Sequence, residues 1–488
     1  MRTLSVEHCD DGATRDDLLV VPCPEATPNI ERYASFIVDG PVPHDIAARL
    51  GIRAEDHEAQ GLRIVDESGR PLGTVVRPAM AVREIPVSRD IRSDPYPFRG
   101  GHPCWAPTPI SYQSLEPAGA WRPLLWGAPL DGSGPVVPVC LGDGRRIVLG
   151  MPLLDVSMGQ SAFPPLDAGY WAHTMAPATF ELECWLADRI GSLLGAARLS
   201  GVRIGRWPAG CSAALTVRHD YDRLISDALL NELLGHYERL GVRSTWGFLI
   251  DKAPRAHADQ IERAGHEVML HSVARNEGEL KAERDTLADR TGRWALGSTA
   301  HGGLGAPGYL GGRHFEWAER TGMRYSEILG CALGLPAQAV VERDGLPVVS
   351  TILLPNQHAS LDLSTKPDGH AFDRLAAECP QAIERGEHLV VMNHPDIHRT
   401  ELIELLARIA RPHVWRATFR DVISWIATAK FGASIGQGRD TVTFGAPLPA
   451  PTRVETFTVD GRRFETQAPV GSSGIALEGL GHRSEAIT

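Results

Sequence analysis

With 488 residues the chain is too long for one ordinary hydrophobic core, which predicts two large domains and a smaller appendage. A formal net charge of −11 with no Lys/Arg-rich stripe excludes an electrostatic hold on nucleic acid, because nothing would neutralise phosphates. The eight cysteines (Cys9, Cys23, Cys104, Cys140, Cys184, Cys211, Cys331, Cys379) are dispersed without a C-x-x-C, so neither a disulfide framework nor a structural zinc cluster is expected.

Met1 to Asp17 are polar and acidic, with no apolar segment of the signal-peptide kind, and no later run approaches a membrane-spanning length. The expectation is a soluble cytoplasmic protein that meets small molecules or precursors. Residues 18 to about 82 mix strand-like runs (Leu18–Pro22, Leu62–Val65, Gly73–Arg77) with a helix near His44–Leu50, and Ser68-Gly69-Arg70-Pro71 marks a hairpin turn. A Pro-, Gly- and Trp-rich stretch from Ile85 to Gly134 reads as a long loop; its Asp90, Asp94, His102 and Trp105 are expected to be mainly solvent-exposed. Strands at Val136–Leu141 and Arg146–Leu153 follow. A helix over Ala178–Leu199, with Leu182, Trp185, Leu186, Ile190 and Leu193 on one face, closes an accessory α/β domain over 1–205.

From Cys211 strand and helix patterns alternate. Leu215–Arg218, Ser244–Ile250, Glu267–His271, Trp294–Ala300, Arg324–Ile328, Val348–Leu354, Leu389–Asn393 and Val414–Thr418 read as strands, most of them followed by an amphipathic helix. Such β/α units predict a closed or nearly closed parallel barrel over 206–430, with its chemistry at the C-terminal strand ends. Residues 431–488 read instead as short strands with a hairpin at Asp460-Gly461, a small β tail whose end after Gly479 is expected to be disordered.

The strand ends bring ionisable groups to one rim. The first offers His219, Asp220 and Asp222, the third His271-Ser272, the fourth His301-Gly302-Gly303, and the seventh Asn393-His394-Pro395-Asp396. Period-2 alternation places Asp220 and Asp222 on the same side of their strand. Two imidazoles and one carboxylate with an open position suit a divalent metal of the zinc class. Such an ion activates water and polarises a carbonyl; a second carboxylate then takes a proton, and a histidine opposite protonates a leaving amine.

The segment Leu215-Thr216-Val217-Arg218-His219-Asp220-Tyr221-Asp222 resembles the first motif of the polysaccharide deacetylase superfamily (NodB homology, carbohydrate esterase family 4), in the branch that carries His-Asp-x-Asp. Gly265-His266-Glu267-Val268-Met269-Leu270-His271-Ser272 is similar to its second motif, and Leu389-Val390-Val391-Met392-Asn393-His394 to its last. Trp415 to Trp425 resembles the closing strand and helix of many members, so the likeness spans about Trp207 to Ile426. It implies a distorted (β/α)7 barrel of the NodB type and a metal-dependent deacetylase. Asp220 then maps to the catalytic base, Asp222 and His271 to metal ligands, and His394 to the general acid, with Zn2+ or another divalent transition metal as cofactor.

The sequence also departs from the family. Its second motif usually ends in a histidine four residues after the first, where this chain has Arg275. Ser298-Thr299-Ala300-His301-Gly302-Gly303 stands where the family has Arg-Pro-Pro-Tyr, which makes His301 the candidate third ligand by analogy with relatives that carry an Arg-x-His element there. Glu327 falls where members often have an aspartate that orients a catalytic group. Competing roles are structural: Asp222 as N-cap of the following helix, His271 as a buried histidine bonded to backbone, and Arg275 in an ion pair with an aspartate, the other role open to Arg275 being to bind an anionic substrate. His219 could orient the aspartates, and His314, His358 and His398 are expected at the surface or behind the site.

The expected activity is removal of an acetyl group from an N- or O-acetylated sugar or glycosylated metabolite. The expected partner is thus a small-molecule or oligosaccharide substrate, with no nucleic acid and no membrane span. The alternatives are a C–N amidohydrolase acting on a non-sugar amide and a catalytically degenerate carbohydrate-binding barrel.

Overall fold

A computed structural model of the chain describes, brief internal gaps aside, residues 18–22, 35–83, 102–153, 173–174, 180–196, 201–301, 313–327, 338–360, 371–431, 434–435, 441–457 and 463–476. In the N-terminal part a mixed sheet runs in the order Leu18–Pro22, Ser35–Asp39, Arg146–Leu149, Val137–Gly142, Arg122–Pro129, Leu62–Asp66, Pro71–Val75. The expected hairpin forms between the last two, its turn tied by Asp66, which accepts from the backbone of Ser68 and Arg70. The helix Phe180–Ala196 buries Leu182, Leu186, Ile190 and Leu193 in the same apolar cluster as Ile37, Ile64 and Val139.

Where it is described, from His102 onward, the stretch read as a long loop is largely strand. His102–Thr108 pairs antiparallel with Arg77–Arg83, Ile110–Glu116 with Arg53–Ala59, and Arg122–Pro129 belongs to the sheet. Proline and glycine misled the reading, because prolines are tolerated in two-stranded ribbons and at edges where no ladder hydrogen bond is lost. His102 and Trp105 lie in a strand, while Asp90 and Asp94 fall outside the described residues.

The second half is a mixed α/β unit around a parallel sheet. Its strands are β1 (Ala213–Tyr221), β2 (Ser244–Phe248), β3 (Glu267–Ser272), β4 (Gly297–Ala300), β5 (Tyr325–Glu327), β6 (Leu346–Leu354), β7 (Gln357–Ser360), β8 (His388–Asn393) and β9 (Val414–Arg416). In space the order is β7-β8-β1-β2-β3-β4-β5-β6, every neighbour parallel, with β9 alongside the first residues of β1. Two antiparallel strands that the sequence did not signal join its edges: Gln338–Arg343 pairs with β6, and His173–Thr174 with β7. Between strands run helices α1 (Asp227–Leu240), α2 (Arg255–Arg263), α3 (Glu277–Thr291), α4 (Arg313–Arg320), α5 (Ala371–Glu384), α6 (Arg399–Ile409) and α7 (Phe419–Trp425). Their apolar faces, such as Leu230, Leu233 and Leu234 of α1, join Leu215, Val217, Leu389 and Val391 of the central strands in one core.

At the opposite end from the histidines, Glu267 at the start of β3 is buried with its carboxylate accepting from Thr245 Oγ1 at 2.9 Å, Tyr325 Oη at 3.0 Å and the Arg420 backbone N–H at 2.9 Å. Tyr325 reaches it because Gly297 on the neighbouring strand has no Cβ; one built there would meet the tyrosine ring. Across this underside lie Val442, Phe444, Leu448, Val454 and Ala468, which share a core with Trp207, Phe419 and Trp425. Thr452–Phe457 pairs with Arg463–Ala468 as expected, but also with Gly201–Pro208, the strand that precedes β1. The turn at Asp460-Gly461 and the residues after Gly479 lie outside the described residues.

Candidate metal centre

β1 divides its side chains by alternation. His219 and Tyr221 turn toward the helices: His219 Nε2 lies 2.5 Å from Tyr237 Oη and its Nδ1 is 3.2 Å from the Asn393 carbonyl, while Tyr221 Oη is 2.7 Å from His257 Nδ1. Burial pushes the His219 imidazole down to about 3, so it stands neutral in a structural network rather than among the site's groups. Arg218, Asp220 and Asp222 take the other side.

Three histidines converge on Asp222. His301, just past β4, places Nε2 3.1 Å from Asp222 Oδ2, and His394, just past β8, places Nε2 3.0 Å from the same oxygen. His271 near the end of β3 has Nε2 3.4 Å from Asp222 Oδ1 and 3.6 Å from Asp220 Oδ2. One ligand atom from each of Asp222, His271 and His301 lies within 4.8 Å of the others. The N-cap of α1 is Ser226, which accepts from the Leu229 amide, so Asp222 does not serve as that cap. His271 is not bonded to backbone either: both of its ring nitrogens are buried without a hydrogen-bond partner, as is Asp222 Oδ1.

Those orphaned atoms are the test of fit for a cation. A buried imidazole and a carboxylate oxygen left unpaired cost free energy unless something else satisfies them, and two nitrogens with one oxygen is a donor set that zinc-class ions accept. Burial pushes the His271 imidazole down to about 4 against the pull of Asp220 and Asp222, which keeps it in the neutral, ligating form at neutral pH. Burial would raise Asp222, but the hydrogen bonds of His301 and His394 outweigh it and hold the carboxyl far below the usual range. The residues present therefore fit a divalent ion.

One residue essential to the arrangement escaped the sequence reading. Arg218 is fully buried; its guanidinium donates to Asp220 Oδ1 and lies 3.1 Å from Glu327 Oε2 at the end of β5. Burial alone would raise Asp220, yet Arg218, followed by His271, pulls its pKa below the ordinary carboxylate value. Glu327 is raised by burial, with Arg218 opposing. The available signal was the period-2 register, which puts Arg218 beneath Asp220 and Asp222 in an otherwise apolar strand. Arg275 is not among the groups around Asp222. It is exposed, and its backbone N–H bonds Glu279 Oε2 at 2.7 Å. His398 lies at the start of α6 in the left-handed region, 3.9 Å from Glu401, whereas the side chains of His314 and His358 are outside the description.

No family profile matches the sequence, and no curated protein matches it. Among similar solved structures is a Mycobacterium smegmatis protein assigned to the polysaccharide deacetylases, with 21% identity over 44% of this chain and 91% of that one, at a TM-score of 0.34. An allantoinase shares 15% identity over 46% of this chain and 93% of its own, also at 0.34. A peptidoglycan deacetylase from Bacillus subtilis shares 13% over 43% and 89%, at 0.29.

Proposed function

We propose that this chain is a metal-dependent hydrolase of carbon–nitrogen or ester bonds that removes an acetyl group from an amino sugar or glycosylated metabolite. The central unit, 206–430, is taken as a distorted (β/α)7 barrel of the NodB type, with 1–205 as an accessory domain and 431–488 as a β tail. The observation that carries the reading is the convergence of Asp222, His271 and His301 beside a second carboxylate held by a buried arginine.

Asp222, His271 and His301 would hold the ion. When bound, a zinc-class ion supplies Lewis acidity to a carbonyl and eases the deprotonation of water. Asp220, kept ionised and oriented by Arg218, is placed to accept a proton from the attacking water. His394, about a quarter exposed and aligned by Asp222, is placed to hand a proton to the departing nitrogen or oxygen. Glu327 acts through Arg218 and touches no reacting atom. A degenerate binding barrel would be favoured by an Asp222–Arg275 pair; Asp222 is instead engaged by histidines, which supports catalysis.

The decisive experiment is elemental analysis and acetate release for wild type and Asp222→Ala, each purified and supplied with ZnCl2, on a panel of acetylated sugars and non-sugar amides. Wild type should carry close to one ion per chain and the variant almost none, with turnover lost in parallel. Equal, negligible metal in both proteins with no acetate from any substrate sinks the proposal. Turnover confined to non-sugar amides would transfer it to amidohydrolase chemistry. A cytoplasmic location fits these small substrates, and among the described residues no helix is long and apolar enough to cross a membrane.

A further inference from the structure

We infer that His219 is a positioning residue for His394: from the helix side of β1 it fixes the peptide that leads into His394, and so sets where that imidazole stands against Asp222. The inference rests on the hydrolase reading, in which His394 hands over a proton, and it gives a task to a histidine that the metal centre does not use.

Packing alone does not call for a histidine here. The residues of β1 that face the helices run Ala213, Leu215, Val217 and then His219, which is fully buried in its turn. An aliphatic side chain would continue that row without desolvating anything polar, whereas an imidazole needs both nitrogens satisfied. Both are satisfied here. Tyr237 on α1 has its Oη 2.5 Å from Nε2, and burial pushes that phenol up, so it keeps its proton and donates. Nε2 is then the acceptor, and Nδ1 carries the hydrogen that is directed at the Asn393 carbonyl 3.2 Å away. Trp246 packs its ring 4.2 Å from the imidazole, centre to centre, and is itself tied by Nε1 to Ser244 Oγ at 2.8 Å.

His219 and Asn393 are the last partners in the register of β1 with β8, so this bond falls where strand gives way to loop. The peptide it holds joins Asn393 to His394. Two further bonds close that loop: Asn393 Nδ2 donates to the Ile397 carbonyl at 2.8 Å, and the Ile397 amide to the His394 carbonyl at 3.2 Å. Both stay within the loop. Of these three bonds, only that from His219 runs to the strand leading into Asp222, whose Oδ2 lies 3.0 Å from His394 Nε2. A shift of about 1 Å in a proton-transferring group is enough to cost on the order of 10²-fold in rate.

Substitutions that divide the imidazole test the inference. In His219→Asn the amide nitrogen stands where Nδ1 does and can still donate to Asn393, whereas His219→Gln reaches Tyr237 and leaves the Asn393 carbonyl without its donor. Tyr237→Phe, a milder change, removes the phenol that fixes the tautomer. Each full-length protein, its folding checked by Tm, is supplied with ZnCl2 and assayed on two acetylated probes, with zinc content recorded. The phenolate of 4-nitrophenyl acetate leaves without a proton, while the nitrogen of 4-nitroacetanilide needs one. Modification of His394 by diethyl pyrocarbonate, mapped by mass spectrometry on zinc-free protein, reads its position without turnover. His219→Gln and Tyr237→Phe should lower kcat for the anilide at least about tenfold more than for the ester, at wild-type zinc content. They should also speed His394 modification severalfold, and His219→Asn should restore most of both. Equal losses on the two probes, or His394 modified at the wild-type rate throughout, overturn the inference and leave the hydrolase reading standing. If only the ester is turned over, the modification rates decide, and if neither His219 variant folds, Tyr237→Phe decides. No zinc and no turnover of any probe by wild type sinks the hydrolase reading; faster His394 modification in His219→Gln, reversed in His219→Asn, would still uphold the tie between the two histidines.

Discussion

The two ends of the central sheet both draw carboxylates away from solvent, and Asp220 and Asp222 at one end are shifted in the opposite sense to Glu267 at the other. At the rim, Asp220 is held by Arg218 and His271, and Asp222 by three histidines, and both are pulled below the ordinary carboxylate pKa. At the underside, Glu267 is met by a hydroxyl, a phenol and a backbone amide, and burial pushes it up to about 7 despite the Arg420 charge. Burial alone thus does not decide the charge of a carboxyl; the balance of burial against nearby charges and hydrogen-bond donors does. Asp220 and Asp222 at the rim are held in the charged form, whereas Glu267 at the underside, like Glu327 behind Arg218, is shifted toward its protonated form.

The sharpest way to break this contrast is to remove the cation at the rim. Arg218→Met leaves Asp220 and Glu327 buried without their shared partner and should cost about 3–5 kcal/mol of stability, read by urea unfolding. Adding Glu327→Gln should recover a good part of the stability while turnover stays lost. Full recovery of turnover would show that Arg218 only holds the fold.

Next in size is the underside. A carboxyl whose folded pKa exceeds its unfolded value binds its proton more tightly when folded, so the contribution of Glu267 is complete below about 4.5 and is lost as pH rises through about 7. Asp220 and Asp222 have the reverse sign: their contribution is present above the ordinary carboxylate range and is lost as pH falls toward their lowered values. Glu267→Gln should keep the hydrogen bonds and remove on the order of 2–3 kcal/mol of pH dependence between pH 5 and 8, visible as a flatter Tm profile. An unaltered profile would mean that the glutamate does not titrate in this window.

The smallest effect separates fold from charge. Ser226→Ala deletes the cap of α1 next to the loop carrying Asp222 and should cost about 1 kcal/mol. Zinc content should stay as in wild type, because neither end loses a charge.

Much of this arrangement was legible beforehand. Alternation in a single apolar strand placed Asp220 and Asp222 together, and the strand-end rule gathered His271, His301 and His394 from distant parts of the chain. Thr418, read as the end of a strand, is instead the cap that opens α7 through reciprocal bonds with Asp421. Other features were hidden for physical reasons. Arg218 looked like one arginine among many, because the partner that explains it, Glu327, is brought close only by sheet order. The ribbon of Arg77–Arg83 with His102–Thr108 carries too many prolines to read as strand. Pairing of Gly201–Pro208 with Thr452–Phe457 is a long-range contact for which local pattern holds no information.

That last pairing has a bearing on biogenesis. As the protein emerges from the ribosome, the strand at Gly201–Pro208 is made before β1 to β9, and its hydrogen-bonding partner only after all of them. Until then it presents an unsatisfied edge, and the apolar underside shared by Trp207 and Trp425 waits for Val442, Phe444 and Val454 to cover it. The nascent chain therefore passes through a late, adhesive stage in which the rim that carries Asp222, His271 and His301 can be assembled before its foundation is sealed. Premature termination near Phe431 would leave such a species permanently, a substrate for chaperones and proteases rather than a smaller enzyme.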